Sequence, residues 1–160
     1  MNGTATGWRS ERFCKPGSYA RAEITTPRGE EAAFMNLNLN GLTALVTAST
    51  GGIGLEIARS LAIEGARVIV NGRTQSNVEK ALTELRRDLS NADLVGLAAD
   101  NGTVGGCATT LSTWPQVDIL VNNLGIYEAV GFFDETDEVW QKMFEINIMS
   151  GVRLARQYLK

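Results

Sequence analysis

The segment Thr47-Ala48-Ser49-Thr50-Gly51-Gly52-Ile53-Gly54 constrains the chain more than any other feature. It follows a short apolar run, residues 42–47, bounded on its other side by Gly41. It precedes Ile53, Ile57, Ala58, Leu61 and Ala62, which recur at helical spacing until Gly65. The order strand, glycine-rich turn, helix has a specific physical use. A helix begins with unpaired N–H groups and the positive end of its dipole, which suit an anion. Glycines let the backbone adopt positive φ and approach a ligand closely. Gly54, on the first helical turn, lets the helix pack close to the strand. The alternative is a tight turn without a ligand.

The rest of the chain repeats the alternation. Residues 67–71 are β-branched and apolar and predict a second strand. Val78, Leu82, Leu85 and Leu89 predict an amphipathic helix, and residues 94–98 a third strand. Residues 103–113 predict a short helix weakened by Gly105 and Gly106 and ended by Pro115. Residues 117–122 predict a fourth strand. Val139, Met143, Ile146, Leu154 and Tyr158 mark one long helix, in which Tyr158 is expected to face the core. Strands that are apolar on both faces and alternate with helices indicate a parallel sheet covered on both sides. Right-handed crossovers narrow this to an α/β, doubly wound parallel sheet.

The 160 residues allow one domain, and 44% hydrophobic with 21% charged residues is a globular composition. A formal charge of −3 gives no reason to expect nucleic acid. There are two cysteines, Cys14 and Cys107, and no histidine. The thiols have no metal-ligand spacing, so no metal site is expected, and unpaired thiols fit a reducing cytoplasm. Without histidine, Ser-His-Asp and Cys-His schemes are absent. No stretch has the length and apolarity of a bilayer span. Residues 1–34 lack either period and read as a disordered extension. Their acidic residues (Glu11, Glu23, Glu30, Glu31) offset the basic ones, which argues against a transit peptide. Met35 is then the expected natural start, and residues 35–160 form the folded unit.

Three motifs occur in order: Thr-x-x-x-Gly-Gly-Ile-Gly at 47–54, Leu-Val-Asn-Asn-Leu-Gly at 120–125, and Ile146-Asn147. Together they resemble the N-terminal portion of the short-chain dehydrogenase/reductase family over residues 40–160. The resemblance implies a Rossmann-like sheet, truncated after the helix that follows the fourth strand. It implies NAD(P)-dependent hydride transfer on a small-molecule carbonyl or alcohol, with 3-oxoacyl-thioester reduction one familiar outcome. It also implies a homo-oligomer for the full-length form, with no nucleic-acid or membrane partner. Ala48, Ser49, Thr50, Gly51, Gly52, Ile53 and Gly54 match the family's cofactor turn. Two positions depart from the pattern. Ala48 replaces a usual glycine and is expected to need a negative φ. Leu124 replaces a usual alanine and is expected to crowd the ribose. Neither change removes an N–H donor, so binding is expected to survive.

The end of the second strand reads the adenine ribose in such sheets. Asn71 is neutral there, where NAD-selective sites carry a carboxylate, and Arg73 can pair with a phosphate. This favours NADP, with NAD as the alternative and a solvated Arg73 as the bland reading. The resemblance places Asp100 and the Asn101 N–H on the adenine; Asp100 as a helix cap is the competing role. It places Asn123 and Gly125 along the nicotinamide ribose, with Asn122 and Asn123 expected to bond backbone on both sides. A strand-end Asx turn is the structural alternative. Asn147 matches the family's catalytic Asn, or is a satisfied buried amide. The family's Ser and Tyr-x-x-x-Lys have no match among the 160 residues. The expectation is therefore an N-terminal part, inactive alone, whose fourth strand edge and last helix are exposed. A non-catalytic NADP-binding protein and a nonfunctional fragment are the alternatives.

Overall fold

Residues 37–160 are described by the computed structural model; the expectations for residues 1–34 and for a start at Met35 lie outside them. The elements run β1 (Thr43–Val46), α1 (Gly52–Ile63), β2 (Arg67–Gly72), α2 (Gln75–Asp88), β3 (Leu94–Ala98), α3 (Val104–Thr113), β4 (Ile119–Val121), α4 (Asp137–Phe144) and α5 (Ser150–Tyr158). A π-helical turn, Glu145–Met149, joins α4 to α5. The strands form one parallel sheet in the order β3-β2-β1-β4. Val46 is registered with Val70 on one side and Val121 on the other.

Period-two alternation sends Ala44, Val46, Val68 and Val70 to one face, against Leu55, Ala58 and Ala62 of α1 and Val78, Leu82 and Leu85 of α2. Leu45, Ile69 and Leu97 face the other side, with Trp114, Leu120 and Tyr158 packed on them. The strands therefore read as continuous apolar runs because both faces are covered. Tyr158 is half-buried, as its place in the helical period required, and its hydroxyl donates to the Trp114 carbonyl at 2.7 Å.

Two expectations need correction. The fourth strand is shorter than 117–122. The last helix is interrupted by the π turn. At Gly106 the glycine has a packing reason that its helix propensity does not show: a Cβ there would overlap the Asp100 carbonyl, so glycine is what allows α3 to start so near β3, whereas Gly105 faces open space. Strand β4 pairs only with β1 among the described strands. Trp140, Phe144, Ile148 and Val152 form an exposed apolar stripe along α4, the π turn and α5. No described helix is long and apolar enough to cross a membrane.

Candidate cofactor-binding site

The order of strand addition reverses between β1 and β4, because β1 leads outward to β2 and β3 while β4 returns, still parallel, to the other side of β1. That switch point opens a crevice beyond the carboxyl ends of the strands, where ligands of such sheets bind. Four segments reach this end: 47–54 after β1, 72–74 after β2, 99–102 after β3 and 122–126 after β4. The buried polar residues Thr47, Ser49, Asn71, Asn101, Thr110 and Ser150 lie in or beneath these segments. Buried polar groups must find partners, and here they tie the turns to one another.

Thr47 joins β1 to β4. Its hydroxyl donates to the Val121 carbonyl and accepts from the N–H groups of Asn123 and Leu124 at 2.9 and 3.0 Å. The Asn123 amide donates to the carbonyls of Thr47 and Ala48 at 2.9 and 3.2 Å. Asn123 therefore does bond backbone on the β1 side. Asn122 does not: it is exposed and makes no hydrogen bond among the described residues.

Ala48 contradicts its expectation, with φ of +51°. This left-handed conformation costs a residue with a Cβ about 1–2 kcal/mol. It persists because both peptide groups of the residue are held. The Ala48 N–H donates to Asn71 Oδ1 at 3.2 Å, and its carbonyl accepts from Asn123. The N–H groups of Ala48 and Leu124, expected to remain for a ligand, are thus both used within the protein.

Asn71 is likewise not a ribose-reading residue. It is 2% exposed and turned into the fold. Its Oδ1 accepts from Ala48 and from Asn101 Nδ2, and its Nδ2 donates to the carbonyls of Leu97 and Ala99 at 3.1 and 3.0 Å. Gly72 follows at the strand edge, where a Cβ would collide with Thr50 and press on Val78. Arg73 is exposed and forms no ion pair among the described residues.

Helix α1 has no side-chain cap, whereas Thr74 caps α2 and Thr103 caps α3. Its first turn carries no acidic residue. The N–H groups there are left for solvent or an anion. Gly51 and Gly52 face open space: a Cβ at either would meet nothing within 4 Å. Gly52 has a φ of +56°, while Gly51 is extended. Gly54 is buried, and a Cβ there would lie 2.6 Å from the Ala48 carbonyl oxygen and closer still to the Asn123 amide. Ile53 is exposed beside the turn. The Ser49 hydroxyl is committed internally, donating to the Val46 carbonyl and accepting from the Asn71 N–H.

After β3, the Asp100 carboxylate accepts from the Gly102 N–H at 3.1 Å, an Asx turn. The cap of α3 is Thr103, so the capping role weighed for Asp100 is corrected. The Asn101 N–H points to the Ala99 carbonyl at 3.2 Å. Its side chain is buried between Asn71 and Thr110, whose hydroxyl donates to Asn101 Oδ1 at 2.6 Å. Cys107 lies beneath this turn and donates to the Asn101 carbonyl; burial pushes its thiol pKa up.

Asn147 sits in the π turn. Its Oδ1 accepts from the Ile126 N–H at 2.7 Å and its Nδ2 donates to the Ile126 carbonyl at 3.0 Å. The amide is satisfied but exposed rather than buried. It clamps the loop after β4, beside Gly125, whose Cβ position is 3.5 Å from Asn147 Oδ1. π turns frequently occur at functional sites. The sequence reading missed Thr47 as a junction, Ile126 as the partner of Asn147, and the inward role of Asn71. For Asn71 a signal existed: a polar residue that continues the apolar run Val68-Ile69-Val70 must be buried and must have partners.

The fold and crevice define a doubly wound parallel sheet with an open glycine-rich turn at its switch point. The family model described as short chain dehydrogenase matches residues 42–160. The oxidoreductase YvaG of Bacillus subtilis (strain 168) is 54% identical over 125 residues, 78% of this chain and 47% of that protein. Mouse dehydrogenase/reductase SDR family member 4 is 42% identical over 137 residues, 82% of this chain and 48% of that protein. The crystal structure of L-sorbose reductase from Gluconobacter frateurii, complexed with NADPH and L-sorbose, superposes with a TM-score of 0.70 at 32% identity, covering 78% of this chain and 49% of that one. The chain belongs to the short-chain dehydrogenase/reductase family, a family of oxidoreductases. It spans about half the length of the curated relatives it matches.

Proposed function

We propose that residues 35–160 form the cofactor-binding part of an NADP-dependent oxidoreductase that moves a hydride between nicotinamide and a small carbonyl or alcohol. The observation that carries this reading is the uncapped start of α1 beneath the open surface of Gly51 and Gly52. The donor set and the space fit a pyrophosphate, so the residues present suit a dinucleotide. The bound cofactor would supply the hydride chemistry. Thr50, Gly51, Gly52 and Ile53 would offer the backbone of the turn, and Gly54 its close packing. Ser49 and Ala48 would act by shaping the turn. Arg73 would pair with a 2′-phosphate, helped by the absence of a side chain at Gly72; its lack of an acidic partner among the described residues supports this. Asp100 and Asn101 would border the adenine, and Asn123 and Gly125 the nicotinamide ribose. NADPH in the related L-sorbose reductase favours the same choice.

Asn147 would orient the reacting end by holding the 125–126 backbone. The 160 residues hold no Tyr-x-x-x-Lys, the pair that moves the substrate proton in the family, so this chain is read as binding cofactor without turnover. That also keeps a non-catalytic NADP-binding role in view. A cytoplasmic location fits the free thiol of Cys107, and the apolar stripe on α4 and α5 fits self-association. Calorimetric titration with NADPH and NADH tests the cofactor assignment. Tighter NADPH binding, lost in Arg73→Ala while NADH binding is kept, is expected; equal affinities would refute it. Oxidation of NADPH by a carbonyl panel above the protein-free rate would refute the inactivity.

A further inference from the structure

A buried amide in the middle of a parallel sheet is costly unless all its hydrogen-bonding positions are filled. Asn71 fills them with a particular set of partners. Ala48 belongs to the turn after β1; Leu97, Ala99 and Asn101 belong to β3 and the turn after it. The Asn71 backbone adds two bonds to Ser49, at 2.8 Å through its carbonyl and 2.9 Å through its N–H. The bracing continues through Asn101 to Thr110 on α3. No other described side chain links the turn after β1 to the turn after β3. One of its bonds goes to the strained residue: the Ala48 N–H is held where φ is +51°. The direction in which the chain leaves Ala48 sets where Gly51 and Gly52 stand.

We propose that Asn71 is a positioning residue for cofactor binding, which holds Ala48 left-handed and fixes the spacing between the turns after β1 and β3. This rests on the reading that these turns bind the dinucleotide. Affinity would then depend on an amide that touches no cofactor atom. The role predicts a specific coupling. Glycine adopts positive φ without the penalty an alanine carries. With glycine at position 48, the turn needs its brace less.

The test is a double-substitution cycle on the 160-residue chain, with NADPH dissociation constants measured well below the unfolding temperature. Asn71→Leu should weaken NADPH binding at least ~10-fold, the scale of one or two lost buried hydrogen bonds. In the Ala48→Gly background the loss should shrink at least ~3-fold. Exchange of the residue-48 amide should accelerate in Asn71→Leu, a change that general loosening of the sheet would not confine to that turn. If Asn71→Leu does not fold, Thr110→Val takes its place, with a smaller loss that Ala48→Gly again reduces. NADPH binding by the unaltered chain, with equal losses in both backgrounds, overturns the positioning role alone. No binding of NADPH or NADH by the unaltered chain overturns both this role and the cofactor reading.

Discussion

Three glycines of one turn should respond to alanine in three different ways. In Gly54→Ala the new Cβ would stand 2.6 Å from the Ala48 oxygen and 3.0 Å from Ser49 Cα, and closer still to Asn123 Nδ2. Overpacking of this kind costs about 1–3 kcal/mol. The displaced Asn123 amide would also lose its bonds to Thr47 and Ala48, each worth about 0.5–1.5 kcal/mol. Alanine returns about 1 kcal/mol of helix propensity. The net destabilisation is about 1–5 kcal/mol, centred on about 3. Gly52→Ala meets open space but keeps a φ of +56°. Its strain of about 1–2 kcal/mol, reduced by about 0.4–1 kcal/mol of unfolded-state entropy, leaves a loss near ~1 kcal/mol. Gly51→Ala is extended and open, so its stability should stay within about 0.5 kcal/mol of the parent. Urea unfolding followed by circular dichroism would read these as midpoint shifts at constant slope. NADPH affinity should nevertheless fall in Gly51→Ala, because its Cβ enters the space assigned to phosphate. A Gly54→Ala protein as stable as the parent, or a Gly51→Ala protein as unstable as Gly54→Ala, would refute the reasoning.

Asn147→Ala removes both bonds to Ile126. At about 0.5–1.5 kcal/mol each, local opening should become about 10–100-fold easier, read as faster exchange of the Ile126 amide; unchanged exchange would remove the clamp. Burial raises the Cys107 thiol pKa above its ordinary 9.0. Below pH 9 the thiol is protonated in both states and its contribution is constant; above it the unfolded chain releases the proton first, so stability falls as pH rises toward the folded-state value. Thermal scans between pH 8 and pH 11 should show that decline, shallower in Cys107→Ala, and parallel declines would contradict it. Trp140, Phe144, Ile148 and Val152 form the exposed apolar stripe. Sedimentation velocity should show concentration-dependent association, reduced in Phe144→Gln with Ile148→Gln; a strictly monomeric parent would refute it.

The sheet and its helices were legible because apolar period and breakers agreed at most elements, the bounds of β4 and the interruption of the last helix excepted. Gly65, with φ of +90°, ends α1 where its sequence position indicated. The site was legible as a set of turns but not as a set of side-chain directions. Asn71 and Gly72 are neighbours, yet one is sealed in the core and the other faces Thr50, a distinction of one residue in strand register. Ala48 misled because alanine signals negative φ, and the bonds that override it come from residues 71 and 123, far away in sequence. The π turn left no local mark, since Glu145-Ile146-Asn147-Ile148 continues the helical period of its surroundings.

That π turn makes the chain unequally tolerant of two kinds of sequence change. A substitution within Glu145–Met149 alters one side chain. The π turn fits one more residue into its turn than an α-helix does. Deletion of a single residue there would let it relax to an ordinary α-helix with α5 close to its present rotation, so Leu154 would stay buried on the sheet. The bulge that carries Asn147 to Ile126 would be lost. The length of this segment is therefore constrained by the loop it holds rather than by the packing of α5.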